Sequence, residues 1–250
     1  MAKRKWGDAI LTKTASETVY DILYRNIINI NLVPGTVMSE KEISEKMNVS
    51  RTPVREAFIR LSKEALVTVI PQKGSFVSRI NLARVKEERF LRESLETSVL
   101  EELIMNNETL PLERLSRNLE YQKIALDTGE TTRFMDLDDQ FHSLFFELAD
   151  RHMCFEVVMS FSSHYRRVRY LSMAVSGVSG ENFKHHKELL HLIEKRDLEG
   201  AQETMKVHLR KLNIEENVIY KKFTDYFEDT PGGSGMDIID EKNLFQSLIQ

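Results

Sequence analysis

Asp138 and His142 stand four residues apart, so on a helix their side chains leave the same face one turn apart. His186 and His208 follow in later stretches, each at the edge of an apolar stripe: Leu189, Leu190 and Ile193 beside the first, Ala201, Met205 and Leu212 beside the second. Three imidazoles and one carboxylate converging inside a bundle would suit a divalent ion such as zinc, nickel or manganese. Helical phase alone leaves His185 as a competitor of His186, and a single histidine beside an apolar stripe is more often a hydrogen-bonded core residue than a ligand. His164 and His191 lack the pattern and read as surface or structural residues.

A second constellation lies near the amino terminus. Arg51-Thr52-Pro53-Val54-Arg55 opens a helix in which Val54, Ala57, Phe58 and Leu61 are occupied in packing. Arg51 and Arg55, four apart, then share the outward face at the helix start. A guanidinium can donate two bonds to guanine O6 and N7, which suits base reading in the major groove. Lys41, Thr52 and the run Gln72-Lys73-Gly74 are candidates for phosphate or groove contacts, which set register more than sequence preference. Each arginine alone is equally well read as a solvated charge; the joint pattern favours DNA.

The elements that would position these residues follow from periodicity. Val19, Ile22, Leu23, Ile27 and Ile30 recur mostly at spacings of three and four, one buried face of a helix running from Ala15 to about Ile30. Val33-Pro34-Gly35 forces a turn, and Ser39 with Glu42 is a capping-box signature for a helix to about Met47. The third helix is expected to begin around Thr52, with Pro53 at its first position, and to end near Ala65. Two short β-prone runs, 66–70 and 74–78, then read as a hairpin. Three helices and a hairpin make a winged helix-turn-helix, expected over residues 10–80. From about Asn81 long amphipathic stretches (82–106, 112–128, 131–151, 153–173, 179–195, 197–222) predict an all-α bundle over 81–227, so the fold class is mainly α. Residues 228–250, with a Gly/Ser run, read as a linker and tail without assigned function.

Bulk properties agree. A chain of 250 residues exceeds the usual length of one domain. Residues 1–80 carry 13 Lys and Arg against 8 Asp and Glu, a net of +5, and the whole-chain charge of −4 leaves −9 for the remainder. A basic first third on an acidic body is the electrostatic outline of a polyanion-binding module joined to one that does not bind. The single cysteine, Cys154, excludes an intrachain disulfide and a cysteine-cluster metal site. No signal-like or bilayer-spanning apolar run occurs, so a cytoplasmic protein without membrane contact is expected.

The stretch SEKEISEKMNVSRTPVREAFIRLSKEALVTVIPQKGSFV resembles the core of the DNA-binding domain of the GntR superfamily of bacterial transcription regulators, and with the first helix the resemblance covers about 14–78. It implies a homodimer on a short inverted-repeat operator in duplex DNA. The carboxy-terminal half resembles the FadR-type effector domain called FCD, whose ligand pattern is matched by Asp138-x-x-x-His142, His186 and His208. The register from His186 through Asp197 to His208 is what selects His186 over His185. Arg92, in Phe90-Leu91-Arg92-Glu93, looks like a family arginine facing the cavity. The resemblance implies a metal that helps hold a small organic acid, with Arg92 pairing its carboxylate.

Two other functions use the same residues. A metallohydrolase would use the same four ligands to activate water, but no His-Glu-x-x-His or comparable motif sets a general base beside them, and a DNA-binding module has no role in it. The chain is therefore read as no enzyme. A regulator with a purely structural metal, or with a metal-free acyl pocket, is the other; the presence of all four ligand residues speaks against the metal-free version.

Overall fold

The computed structural model describes residues 13–106, 110, 112–176, 179–211 and 218–228. The first helix, α1 (Ala15–Ile28), starts at Thr14, whose hydroxyl accepts from the Glu17 amide while the Glu17 carboxylate takes the Thr14 amide in return. Helix α2 (Glu40–Lys46) is capped by the Ser39 hydroxyl. It ends through Asn48, which adopts the left-handed conformation that asparagine tolerates, and the Val49 amide returns to the Ser44 carbonyl. Helix α3 (Arg51–Lys63) begins one residue earlier than the sequence predicts: Ser50 is the cap, without a side-chain hydrogen bond, and Thr52 and Pro53 lie inside the first turn. Proline is still tolerated there, because that turn's amides have no intrahelical partner.

The hairpin strands β2 (Val67–Ile70) and β3 (Gly74–Val77) pair antiparallel around a turn with positive φ at Gln72 and Gly74. A short strand the sequence did not signal, β1 (Val37–Met38), pairs with the outer side of β3, giving the order β1-β3-β2. Val19, Leu23 and Ile27 of α1 close one core with Val54, Ala57, Phe58 and Leu61 of α3. The winged helix-turn-helix is thus a helical core edged by a three-stranded sheet.

The body is helical: α4 (Leu82–Asn106), α5 (Glu113–Asp127), α6 (Thr131–Leu148), α7 (His152–Ser160), α8 (Ser163–Ser176), α9 (Ser179–Glu194) and α10 (Leu198–Arg210). Helix α4 packs on α6, α8 and α10, α5 on α6 and α9, and α9 on α10. Phe141, Phe145, Leu189, Ile193, Ala201 and Met205 belong to the main core, and Cys154, half-buried, packs against it as a small apolar residue.

The predicted helix over 153–173 is two helices. The break at Phe161-Ser162 arises because the buried Glu88 carboxylate of α4 accepts the His164 and Tyr165 amides at 2.9 and 2.8 Å, an anion set on a new amino-terminal turn. Serines around the break assist, Ser162 donating to the Met159 carbonyl. Of the stretch expected as one helix over 197–222, residues 198–210 and 218–222 are helical, and 212–217 lie outside the described residues. A 3-10 turn (Thr224–Tyr226) leads Phe227 back beside Ile80. Of the expected tail, 229–250 also lie outside the described residues. Among the described residues no helix is long and apolar enough to cross a membrane.

Candidate functional site

Helix α6 presents Asp138 and His142 to the interior one turn apart, α9 presents His186 and α10 presents His208. Asp138, His142 and His186 are fully buried and His208 nearly so. One potential ligand atom from each lies within 4.8 Å of the others. The structure therefore brings all four sequence candidates together. His185 turns outward instead, its ring 5.7 Å from that of His208, into a cleft of about 500 Å³ shared with Glu181, Lys206, Arg210 and Lys211. His164 is structural and buried, not superficial: its Nδ1 accepts from the Asn81 amide and from Arg167.

Hydrogen bonds around the cluster decide which ring nitrogens face inward. Glu96 of α4 accepts from His142 Nδ1 at 2.6 Å, which leaves His142 Nε2 as the atom facing the centre, 3.2 Å from His208 Nε2. His186 is oriented by an amide chain. Asn118 Nδ2 donates to the Leu137 carbonyl, Gln122 Nε2 donates to Asn118 Oδ1, and Gln122 Oε1 is left to accept from His186 Nδ1 at 2.8 Å. His186 Nε2 then faces Asp138 Oδ1 at 3.6 Å. Phe141 stacks on the His186 ring, centroids 4.4 Å apart, and fixes its plane.

Among the described residues, Asp138 Oδ1, His186 Nε2 and His208 Nδ1 are buried without hydrogen-bond partners. Leaving buried polar atoms unpaired costs about 1–3 kcal/mol each, and a cation among them would satisfy the lone pairs of Asp138 and His186 directly. Three nitrogens and one oxygen are a donor set for borderline divalent metals, so the residues fit such an ion. Burial holds His186 down to about 3 and His208 well below the usual histidine range. Both rings are thus neutral, the form that binds metal. Burial would raise Glu96, but Arg92 and His142 outweigh it and hold it at about 2. Asp138 is likewise lowered, the Arg169 guanidinium beside it outweighing its burial.

Arg92 is buried on α4, its Nε donating to Glu96 Oε1 at 2.5 Å, so it reaches the centre through the carboxylate that orients His142. Sequence reasoning missed Arg169 of α8, whose two amino groups take Asp138 and Asp139. It also missed Glu96 and Gln122. Glu96 had a visible signal, one turn after Arg92 on the same face; Gln122 had none. Arg92 and Arg169 lie 5.7 and 5.8 Å from the centroid of the Tyr165 ring.

On the head, Lys41, Arg51, Thr52, Arg55, Gln72, Lys73 and Gly74 are all exposed. Arg51 and Arg55 stand on the first turns of α3, and Val54, Ala57, Phe58 and Leu61 are its buried residues.

The gntR family of bacterial regulatory proteins matches residues 15–77 and the FCD domain matches 89–211. The HTH-type transcriptional repressor RspR of Escherichia coli K12 is 32% identical over 218 residues, covering 87% of this chain and 96% of that protein. The gluconate operon transcriptional repressor of Bacillus subtilis is 28% identical over 137 residues, 55% of this chain and 56% of its own. Among solved structures, E. coli McbR/YncC aligns with a TM-score of 0.70 at 19% identity, over 85% of this chain and all of that one. A structure described as a GntR transcriptional regulator from Rhodococcus sp. RHA1 aligns at 0.69 and 22%, over 86% of this chain and all of its own; these two likenesses bear on the fold. With its winged helix-turn-helix head and its helical FCD body, the chain belongs to the GntR family of bacterial transcriptional regulators.

Proposed function

We propose that the protein is a cytoplasmic, homodimeric repressor that binds an inverted-repeat operator in duplex DNA and responds to a small carboxylate held at a divalent metal in the FCD domain. The observation that carries the metal reading is the buried Asp138, His142, His186 and His208 cluster with its unsatisfied ligand atoms. The bound ion, zinc, nickel or manganese, would supply a Lewis-acid position for an acid's oxygens. This chain's own residues do the rest. Glu96 and Gln122 aim the imidazoles, Phe141 fixes a ring plane, and Arg92 is the cation assigned to the effector carboxylate. Arg51 and Arg55 are assigned to base edges, and Lys41, Thr52, Gln72, Lys73 and Gly74 to backbone or groove contacts. The division into 10–80, 81–227 and 228–250 belongs to the same reading, and the name of the repressor RspR supports repression.

Elemental analysis of the tag-free protein beside a His186→Ala, His208→Ala double variant tests the metal reading. About one transition-metal ion per chain, lost in the double variant, is expected for a site of this donor set. No metal in either protein overturns it and reopens a metal-free acyl pocket.

Glu96→Gln keeps the side-chain shape and removes its charge. Zinc affinity is expected to fall about 10- to 100-fold, the usual effect of losing the group that orients a ligand histidine. Competition against a chelating dye measures it; unchanged affinity would show that Glu96 serves Arg92 alone.

A further inference from the structure

One ion-pair run leaves the metal cluster and ends in the DNA-binding head. Arg169 on α8 donates through Nη2 to Asp138 Oδ2 and through Nη1 to Asp139 Oδ1 at 2.8 Å. The second oxygen of Asp139 accepts from Arg166 Nη2 at 2.5 Å. Arg166 Nη1 then donates to the hydroxyl oxygen of Tyr24 on α1, also at 2.5 Å, with its guanidinium 5.7 Å from that ring's centroid. Asp138 and Arg169 are buried, and Asp139 and Arg166 are at most about one-eighth exposed. Each carboxylate oxygen in the middle of the run has its own arginine, and each arginine has two different partners.

We propose that Arg169, Asp139, Arg166 and Tyr24 are the positioning residues that couple occupancy of the Asp138 centre to the seating of the DNA-binding head. The inference rests on the metal reading above. A divalent cation at the centre claims charge from Asp138 and repels the adjacent Arg169 in a poorly screened interior. Arg169 falls back on Asp139, whose charge is then largely compensated, and the hold of Asp139 on Arg166 weakens. Tyr24 sits in α1, and α1 shares its core with the buried face of α3, so a change in its tether reaches the helix assigned to the major groove. Two further bonds from α8, Ser163 Oγ to the Glu64 carbonyl at 2.8 Å and Arg167 to the Ser78 carbonyl at 2.5 Å, hold the head without touching the cluster. The head thus stays attached while its tilt responds.

The test follows amide exchange in α1 of full-length, metal-free protein before and after zinc is added, with zinc per chain measured on the same samples. Wild type, Tyr24→Phe and Tyr20→Phe are compared. Tyr20 is the control because it lies on the same helix and its hydroxyl bonds Glu64 within the head, outside the run. Zinc is expected to speed α1 exchange by about fivefold or more in wild type and Tyr20→Phe, the lower range of ordinary coupling between sites. In Tyr24→Phe the zinc response should fall to less than half, with zinc still bound. A purely structural hydroxyl would shift the baseline and leave the zinc response intact. An equal response in wild type and Tyr24→Phe, a loss shared by both variants, or no α1 response in zinc-loaded wild type overturns the coupling and leaves the metal reading standing. Zinc that fails to bind wild type overturns both.

Discussion

Acidified below pH 6.5 in the absence of metal, the protein is expected to lose stability at up to about 4 kcal/mol per pH unit, a slope of roughly 1.4 kcal/mol for each of three buried neutral histidines. Those are His164, His186 and His208: burial holds the first at about 2 and the second at about 3, and pushes the third well down. Unfolded, each would titrate at the ordinary histidine value. Between the folded and unfolded values the unfolded chain therefore binds more protons, and unfolding becomes easier as pH falls. The stability these residues contribute is fully present above about pH 6.5 and drains away toward pH 3. Glu96, held at about 2 against 4.5 in the free residue, extends the loss below pH 4.5. Urea unfolding in the presence of a chelator at pH 7, 6 and 5 reads the slope. A flat profile would mean that the imidazoles take up protons in the folded state, and the hydrogen-bond assignment at the cluster would be wrong.

Arg55→Ala is expected to abolish specific operator binding while leaving unfolding unchanged. The side chain is exposed, and the buried face of α3 is made by other residues, so little packing is lost. A two-pronged arginine contact is worth about 1–3 kcal/mol of base discrimination. In the proposed dimer the substitution would fall on both half-sites, for a combined loss on the order of 10²- to 10⁴-fold. DNA selected from a random pool by the wild-type protein serves as the operator, and binding is measured at fixed salt beside unrelated duplex, because the phosphate component is salt-dependent. Loss confined to the selected sequence supports base reading by Arg55. An equal loss on both DNAs would make it a phosphate contact, and no loss would move the reading surface elsewhere.

The sequence by itself determined whatever depends on short range. The spacing of Val54, Ala57, Phe58 and Leu61 sets the buried face of α3, and with it the outward side of Arg51 and Arg55. Ser39 caps α2 as read. Asp138 and His142 share a face because a helix returns every 3.6 residues. Across helices the same logic stops. Phase alone did not separate His186 from His185; packing of α9 against α5 and α10 did, setting one ring against Phe141 and Gln122 and the other in a surface cleft. The break between α7 and α8 was invisible because its cause, Glu88, lies 76 residues from His164. Arg166 and Arg169 read locally as ordinary charges on an amphipathic helix, and their burial became tolerable only when the fold brought Asp138 and Asp139 of α6 against them. Hydrogen-bond partners distant in the chain leave no periodic trace, and a buried charge is stable only where its counter-charge arrives, which tertiary packing alone decides.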